Sequence, residues 1–181
     1  MFARTPRLLL RPGWIEDAPA LATAIGDRAV VENLARAPWP YSLADAERYL
    51  ARLPDPALPD LLILRRTLGA PQIIGGIGLV RGDSGAIELG FWITRQCWGL
   101  GFATEAGLAM IDIARHALGL EEIAAFAFAS NVSSQNVLAK LGFERAGQLR
   151  RHCAARDADL PAVSYRLRID RGMEPMIPLA A

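Results

Sequence analysis

The chain has 181 residues, 52% hydrophobic and 22% charged, with 20 Lys+Arg against 19 Asp+Glu and a formal net charge of +1. That is enough chain for one core burying roughly two thirds of the unfolded surface. It argues against an intrinsically disordered chain and lacks the clustered cations that a long stretch of nucleic acid requires. Lys140 is the single lysine among the cations, a bias read first as genome composition.

The segment 7–12 reads as a short strand stopped by Pro12 and Gly13. Glu16 and Asp17 then sit where a helix N-terminus favours anions, and Leu21, Ala22 and Ile25 follow at helical spacing. A second short helix is expected from Asp27 towards Ala35, before the breaker cluster Pro38-Trp39-Pro40. Ser42 caps a third helix, with Asp45 in a capping-box position and Leu43, Ala46, Tyr49, Leu50 and Leu53 as its apolar stripe. Beyond Pro54, Pro56 and Pro59 the pattern changes to strands at 61–66, 73–81 and 86–93, an antiparallel meander. A long helix over 102–117 follows. After it come a strand at 123–129, a helix at 133–141 and strands at 143–150 and 162–169. No composition break divides the chain, so one domain is expected over 1–181, with its core at 7–169 and an irregular tail at 172–181.

Cys97 and Cys153 have no metal-ligand spacing and are too few for a disulfide framework. Near Met1 there is no secretory pattern, and nowhere is there a run of about 18 apolar residues. A cytoplasmic protein without a bound metal, and without nucleic-acid or membrane partners, is expected. Cys97 has no base adjacent in sequence, and both His116 and His152 lie far from it, which argues against covalent catalysis.

The segment Arg95 to Glu105 joins a strand to the longest helix and places Gly99 and Gly101 just ahead of that helix. Glycine lets the backbone take positive φ and lets a ligand approach, while the free N–H groups of a first helical turn favour an anion. A Walker loop needs Lys-Ser or Lys-Thr where Phe102-Ala103 stand, and a dinucleotide fingerprint needs glycine where Thr104 stands. Both fail, leaving a diphosphate loop of another kind or a tight strand-to-helix turn.

The stretch Gln96-x-x-Gly99-x-Gly101-Phe102-Ala103 resembles the acetyl-coenzyme A pyrophosphate signature of the GNAT superfamily of N-acetyltransferases. Asn131-x-x-Ser134-x-x-Val137-Leu138-x-Lys140-Leu141-Gly142-Phe143, and Asn33-Leu34 with Pro38 to Ser42 and Asp45-Ala46, resemble its RimJ/RimL-type branch, known for acetylating ribosomal-protein N-termini. The resemblance spans residues 7–169. It implies an α+β fold with a mixed, mostly antiparallel sheet of about six to seven strands flanked by helices on both faces. It also implies an acyltransferase passing the acetyl group of acetyl-coenzyme A directly to a primary amine, on a peptide N-terminus or a small molecule, as a monomer or homodimer.

On that resemblance the amides of Trp98, Gly99, Leu100, Gly101, Phe102 and Ala103, flanked by Gln96 and Thr104, hold the pyrophosphate. Trp92 and Ile93 pair with the pantetheine arm, although sheet packing accounts for Trp92 equally well. Glu88 lies on the same strand face as Gly90 and Trp92 and is the candidate general base, the alternative being a carboxylate paired with an arginine. Such a base is needed less by an α-amine of pKa roughly 7.7–8.0 than by a lysine near 10.4. Many relatives use a tyrosine seven residues after the asparagine to protonate the coenzyme thiolate; here Leu138 stands there, and Ser134 is the candidate acid or merely a helix-start residue. Asn131 is a helix cap that also meets pantetheine, and Lys140 meets the 3′-phosphate or sits on a solvated face. Trp39 and Tyr41 are candidate walls of the acceptor pocket, completed by the first helices and a loop over 150–160. Leu138 also leaves room for a non-catalytic acyl-coenzyme A sensing module.

Overall fold

The computed structural model describes residues 1–53, 55–82 and 85–169, so the expected irregular tail at 172–181 lies outside the described residues. Among the described residues the α-helices and strands run β1 (Ala3–Arg4), β2 (Leu8–Arg11), α1 (Ala18–Ile25), α2 (Arg28–Val31), α3 (Leu43–Ala51), β3 (Asp60–Arg65), β4 (Gln72–Arg81), β5 (Ile87–Ile93), α4 (Phe102–His116), β6 (Glu122–Phe128), α5 (Val132–Lys140), β7 (Glu144–Cys153) and β8 (Ala158–Arg168). Among the described residues the eight strands form one sheet in the order β1-β2-β3-β4-β5-β6-β8-β7. Neighbours are antiparallel except β5 and β6. This is the expected α+β class; the additional strand is the two-residue β1.

Alternation along the strands divides their side chains between two cores. On one face Ile77, Leu79, Leu89, Ile93, Ile123 and Ala125 pack against Phe102, Ala106, Met110 and Ala114 of α4 and Leu138 of α5. The opposite face carries Leu62 and Leu64, covered by Leu21 of α1 and Ala46 of α3. Helices thus cover both faces. A Cβ on Gly107 would stand 2.5 Å from Leu141, so glycine there sets how closely α4 meets the end of α5.

Three sequence expectations change. The helix expected to run towards Ala35 ends at Val31, and the Asn33 side-chain amide donates to the Ala29 carbonyl (2.7 Å), the local bonding by which asparagine competes with a helical ladder. In α3 the Ser42–Asp45 capping box forms, with Ser42 N–H to Asp45 Oδ2 at 2.8 Å and Asp45 N–H to Ser42 Oγ at 3.2 Å. Of its expected stripe, however, Ala46 is fully buried while Leu43 is exposed, and Leu53 falls beyond the helix at 98% exposure. The expected loop over 150–160 is mostly strand: β7 and β8 pair from Cys153↔Ala158 onward, leaving a tight turn in which Asp157 takes φ 46°.

Candidate active site

β5 and β6 hold together at only two positions, Glu88↔Ala124 and Leu89↔Ala125, and beyond Leu89 the ladder is absent. Thr94 N–H donates to Ile74 O (2.8 Å), so ladder alternation turns the backbone groups of Glu88, Gly90 and Trp92 towards β4 and those of Phe91 and Ile93 towards the gap. Across the gap Ala129 N–H donates to Pro161 O (2.9 Å), which turns Phe126 and Phe128 towards β5. The expected pair Trp92 and Ile93 is therefore corrected: Phe91, not Trp92, offers its backbone there. The Ile93 carbonyl accepts from the Trp98 indole (2.7 Å). The Trp92 side chain packs under α1 and α2, and a Cβ on Gly76 opposite would lie 2.6 Å from its Nε1.

Past the end of β5 the chain makes a 3₁₀ turn at Arg95–Cys97 and enters α4 through Gly99 (φ 74°) and Gly101 (φ 79°). Both conformations belong to glycine, and a Cβ on Gly99 would meet nothing within 4 Å. The loop thus faces open space, and the opening amides of Phe102, Ala103 and Thr104 lie at the positive end of a 15-residue helix. Gln96 accepts from the Thr94 hydroxyl (2.8 Å), and Cys97 is buried. Sequence reasoning missed the brace beneath the loop. Arg7 donates to the Leu100 carbonyl (2.9 Å), lies 4.5 Å from the centre of the Phe102 ring and pairs with Glu105 (2.6 Å). Burial pushes the Glu105 pKa up, but the Thr5 hydroxyl, the Arg7 amide and the Arg7 guanidinium outweigh it and hold the carboxyl below its usual range.

Beside the gap α5 begins at Asn131. Its Oδ1 accepts from Ser134 N–H (3.0 Å) and its Nδ2 donates to Ser134 Oγ (2.9 Å), so the amide orientation is fixed by its partners and the serine hydroxyl proton is left to donate elsewhere. Leu138, one turn on, is 1% exposed in the main core. Lys140 is exposed in the last turn of α5, about 13 Å along the axis from Asn131.

A cavity of about 590 Å³ runs from the gap onto the α1–α3 face and brings together Glu88, Asn131, Ser134, Trp92 and Tyr41. Trp39 is not among its lining residues and stands 38% exposed outside it. Its floor is bare at Gly90, where a Cβ would meet nothing within 4 Å, while over Gly78, opposite it on β4, a Cβ would stand 2.9 Å from the Asp60 carboxylate. Tyr49 donates to Asp60 (2.8 Å), which also takes Arg52, and Arg52 stacks 4.0 Å from the centre of the Tyr49 ring. Burial pushes up the phenols of both Tyr49 and Tyr41, the latter aided by the nearby Asp45 charge. Glu88 pairs with Arg151, whose guanidinium lies 4.9 Å from the centre of the Phe126 ring. β7 stands three strand spacings from β5, about 14 Å in a flat sheet, so this contact requires the β7–β8 hairpin to curl over the face.

A family model described as an acetyltransferase (GNAT) domain matches residues 7–144 of this chain. The chain belongs to the GNAT acetyltransferases. It is 29% identical over 153 residues to the uncharacterized N-acetyltransferase p20 of Bacillus licheniformis, covering 81% of this chain and 84% of that one. The fold is similar to that of the ribosomal-protein-S5-alanine acetyltransferase from Vibrio fischeri, with a TM-score of 0.77, 18% identity, and 94% and 97% of the two chains covered. It is also similar to the microcin C7 self-immunity acetyltransferase MccE in complex with acetyl-CoA and AMP, with a TM-score of 0.75, 15% identity, and 91% and 94% covered. The GNAT family transfers acetyl from acetyl-coenzyme A to amines, and this member keeps a loop and a parted sheet that fit a diphosphate joined to an extended arm. Among the described residues no group of three or more His, Cys, Asp or Glu could hold a metal ion, and no helix is long and apolar enough to cross a membrane.

Proposed function

We propose that the protein transfers the acetyl group of acetyl-coenzyme A to a primary amine, on a peptide N-terminus or a small molecule as in the RimJ/RimL-type branch it resembles. The observation that carries this is a cavity that joins the β5–β6 gap to the α1–α3 face, with Glu88 and Ser134 both in its lining. The loop amides from Trp98 to Ala103 take the pyrophosphate, and the outward backbone of Phe91 and Ile93 takes the amide-bearing arm. The amine enters over the glycine floor and attacks the thioester carbonyl. A C–N bond forms, the C–S bond breaks, and the amine proton passes to Glu88 directly or through water. The thiolate leaving group gains its proton from the Ser134 hydroxyl, which the Asn131 amide polarises by donating to its oxygen, and the proton taken up at Glu88 returns through water to the serine.

The test is release of free thiol from acetyl-coenzyme A with a panel of amines and N-terminal peptides, in wild type and Glu88→Gln. We expect turnover with some of the amines, and a kcat at least about 10²-fold lower in the variant with the KM for acetyl-coenzyme A unchanged. Tight coenzyme binding without release above background for any amine would instead establish an acyl-coenzyme A sensing module. The burial of Leu138, where many relatives carry an acidic tyrosine, is the observation that favours this second reading.

A further inference from the structure

Counted with Arg151, which reaches Glu88 from outside the lining, four arginines face three carboxylates at the cavity. Each carboxylate in its lining has an arginine against it: Asp45 pairs with Arg48 (2.8 Å), Asp60 with Arg52, and Glu88 with Arg151. One lining cation is left over. Arg36 stands in the segment that follows α2, and among the described residues its guanidinium has no carboxylate, carbonyl or aromatic ring as a partner.

Its backbone is nonetheless held. Ala154 N–H, in the β7–β8 turn, donates to the carbonyl of the adjacent Ala35 (2.9 Å), and the Cys153 thiol lies 3.5 Å from the Glu32 and Leu34 carbonyls. A cation on a tethered segment at the edge of a cavity whose anions are already paired repels a bare ammonium. It attracts a molecule carrying negative charge.

Resting on the acetyl-transfer reading above, we infer that the acceptor is an amine that also bears an anionic group, a carboxylate or a phosphate, which Arg36 holds while the amine lies towards Glu88 and Ser134. A guanidinium fork suits either anion in bidentate geometry. Because the anchor lies away from the reacting nitrogen, it contributes to binding and orientation rather than to the chemistry.

Matched amines decide the matter. An amino acid is compared with its carboxamide, and an aminoalkyl phosphate with the corresponding amino alcohol, each rate expressed per concentration of unprotonated amine so that differences in amine pKa cancel. In wild type we expect the anionic member of at least one pair to be favoured by about tenfold in kcat/KM, the size of one charge-assisted hydrogen bond. Which pair responds distinguishes carboxylate from phosphate. Arg36→Gln should lower kcat/KM for the anionic member about tenfold, leave the neutral member within twofold and leave the KM for acetyl-coenzyme A unchanged; Arg36→Glu should favour the neutral member. Equal turnover of both members in wild type, or a preference that survives Arg36→Gln, would overturn the inference while leaving acetyl transfer standing. Absence of thiol release with every amine, charged or neutral, would overturn the transfer reading and this inference with it.

Discussion

Arg7 and Glu105, 98 residues apart in the chain, meet through two hydrogen bonds: the Arg7 amide to Oε1 at 2.9 Å and the guanidinium Nε to Oε2 at 2.6 Å. The same guanidinium donates to the Leu100 carbonyl. The N-terminal segment therefore fixes the glycine loop from below. Arg7→Ala should raise the dissociation constant of acetyl-coenzyme A severalfold, as read by calorimetry, with little change in acceptor KM.

The same contact has a pH signature. Glu105 has a folded pKa below its ordinary value of 4.5, so its contribution to stability is fully present above that value. That contribution is lost as pH falls through 4.5 towards the folded pKa. Asp17, gripped by both terminal nitrogens of Arg11 at 2.7 Å, is likewise lowered and loses its contribution at more acid pH, below its ordinary 3.8. Thermal melts of wild type and Glu105→Gln should differ at pH 7 and draw together progressively as pH falls below 4.5.

Asn131 and Ser134 share one small network but separate by substitution. Asn131→Ala removes the cap of α5 and should cost about 1 kcal/mol in denaturant unfolding. Ser134→Ala keeps the Asn131 Oδ1 to backbone N–H bond, so stability should change by less than about 0.5 kcal/mol. If the hydroxyl is the acid, kcat falls about 10²-fold. An unchanged kcat would show that water protonates the thiolate.

The glycine floor can be probed one methyl at a time. Gly90→Ala adds a Cβ to open space, so we expect an intact Tm and a loss of the bulkier acceptors. Gly76→Ala pushes a Cβ to 2.6 Å from the Trp92 indole nitrogen and should destabilise the fold by about 1–3 kcal/mol. Equal effects of the two on acceptor range at unchanged stability would contradict the assignment of Gly90 to the acceptor path.

Lys140 tests the far end of the coenzyme. If it meets the 3′-phosphate, Lys140→Ala weakens acetyl-coenzyme A more than the dephosphorylated form; equal weakening places it on a solvated face.

The parts of the fold legible in sequence were those governed by neighbours along the chain. The Ser42–Asp45 box, the Gly99 and Gly101 turn and the Asn131 cap all depend on residues within a few positions, and each has the expected geometry. Strand alternation likewise put Glu88, Gly90 and Trp92 on one face. What escaped was long-range. No local pattern marks Arg7 as the partner of Glu105, or Arg151 as that of Glu88, because both depend on how remote strands are stacked and curled. The 150–160 segment read as a loop because its charged residues mask the alternation of β7, an edge strand with one face solvated.

The parting of β5 from β6 has a thermodynamic consequence. The Phe91 N–H and the Phe126 carbonyl, which a continuous sheet would satisfy internally, are left to solvent until another chain of amides takes their place. The free protein should therefore exchange the Phe91 amide hydrogen rapidly, despite its position mid-sheet. Saturating coenzyme should slow that exchange, and raise the melting temperature in proportion to the logarithm of its concentration. The donor would then be a temporary structural element, and each product release would reopen the middle of the sheet.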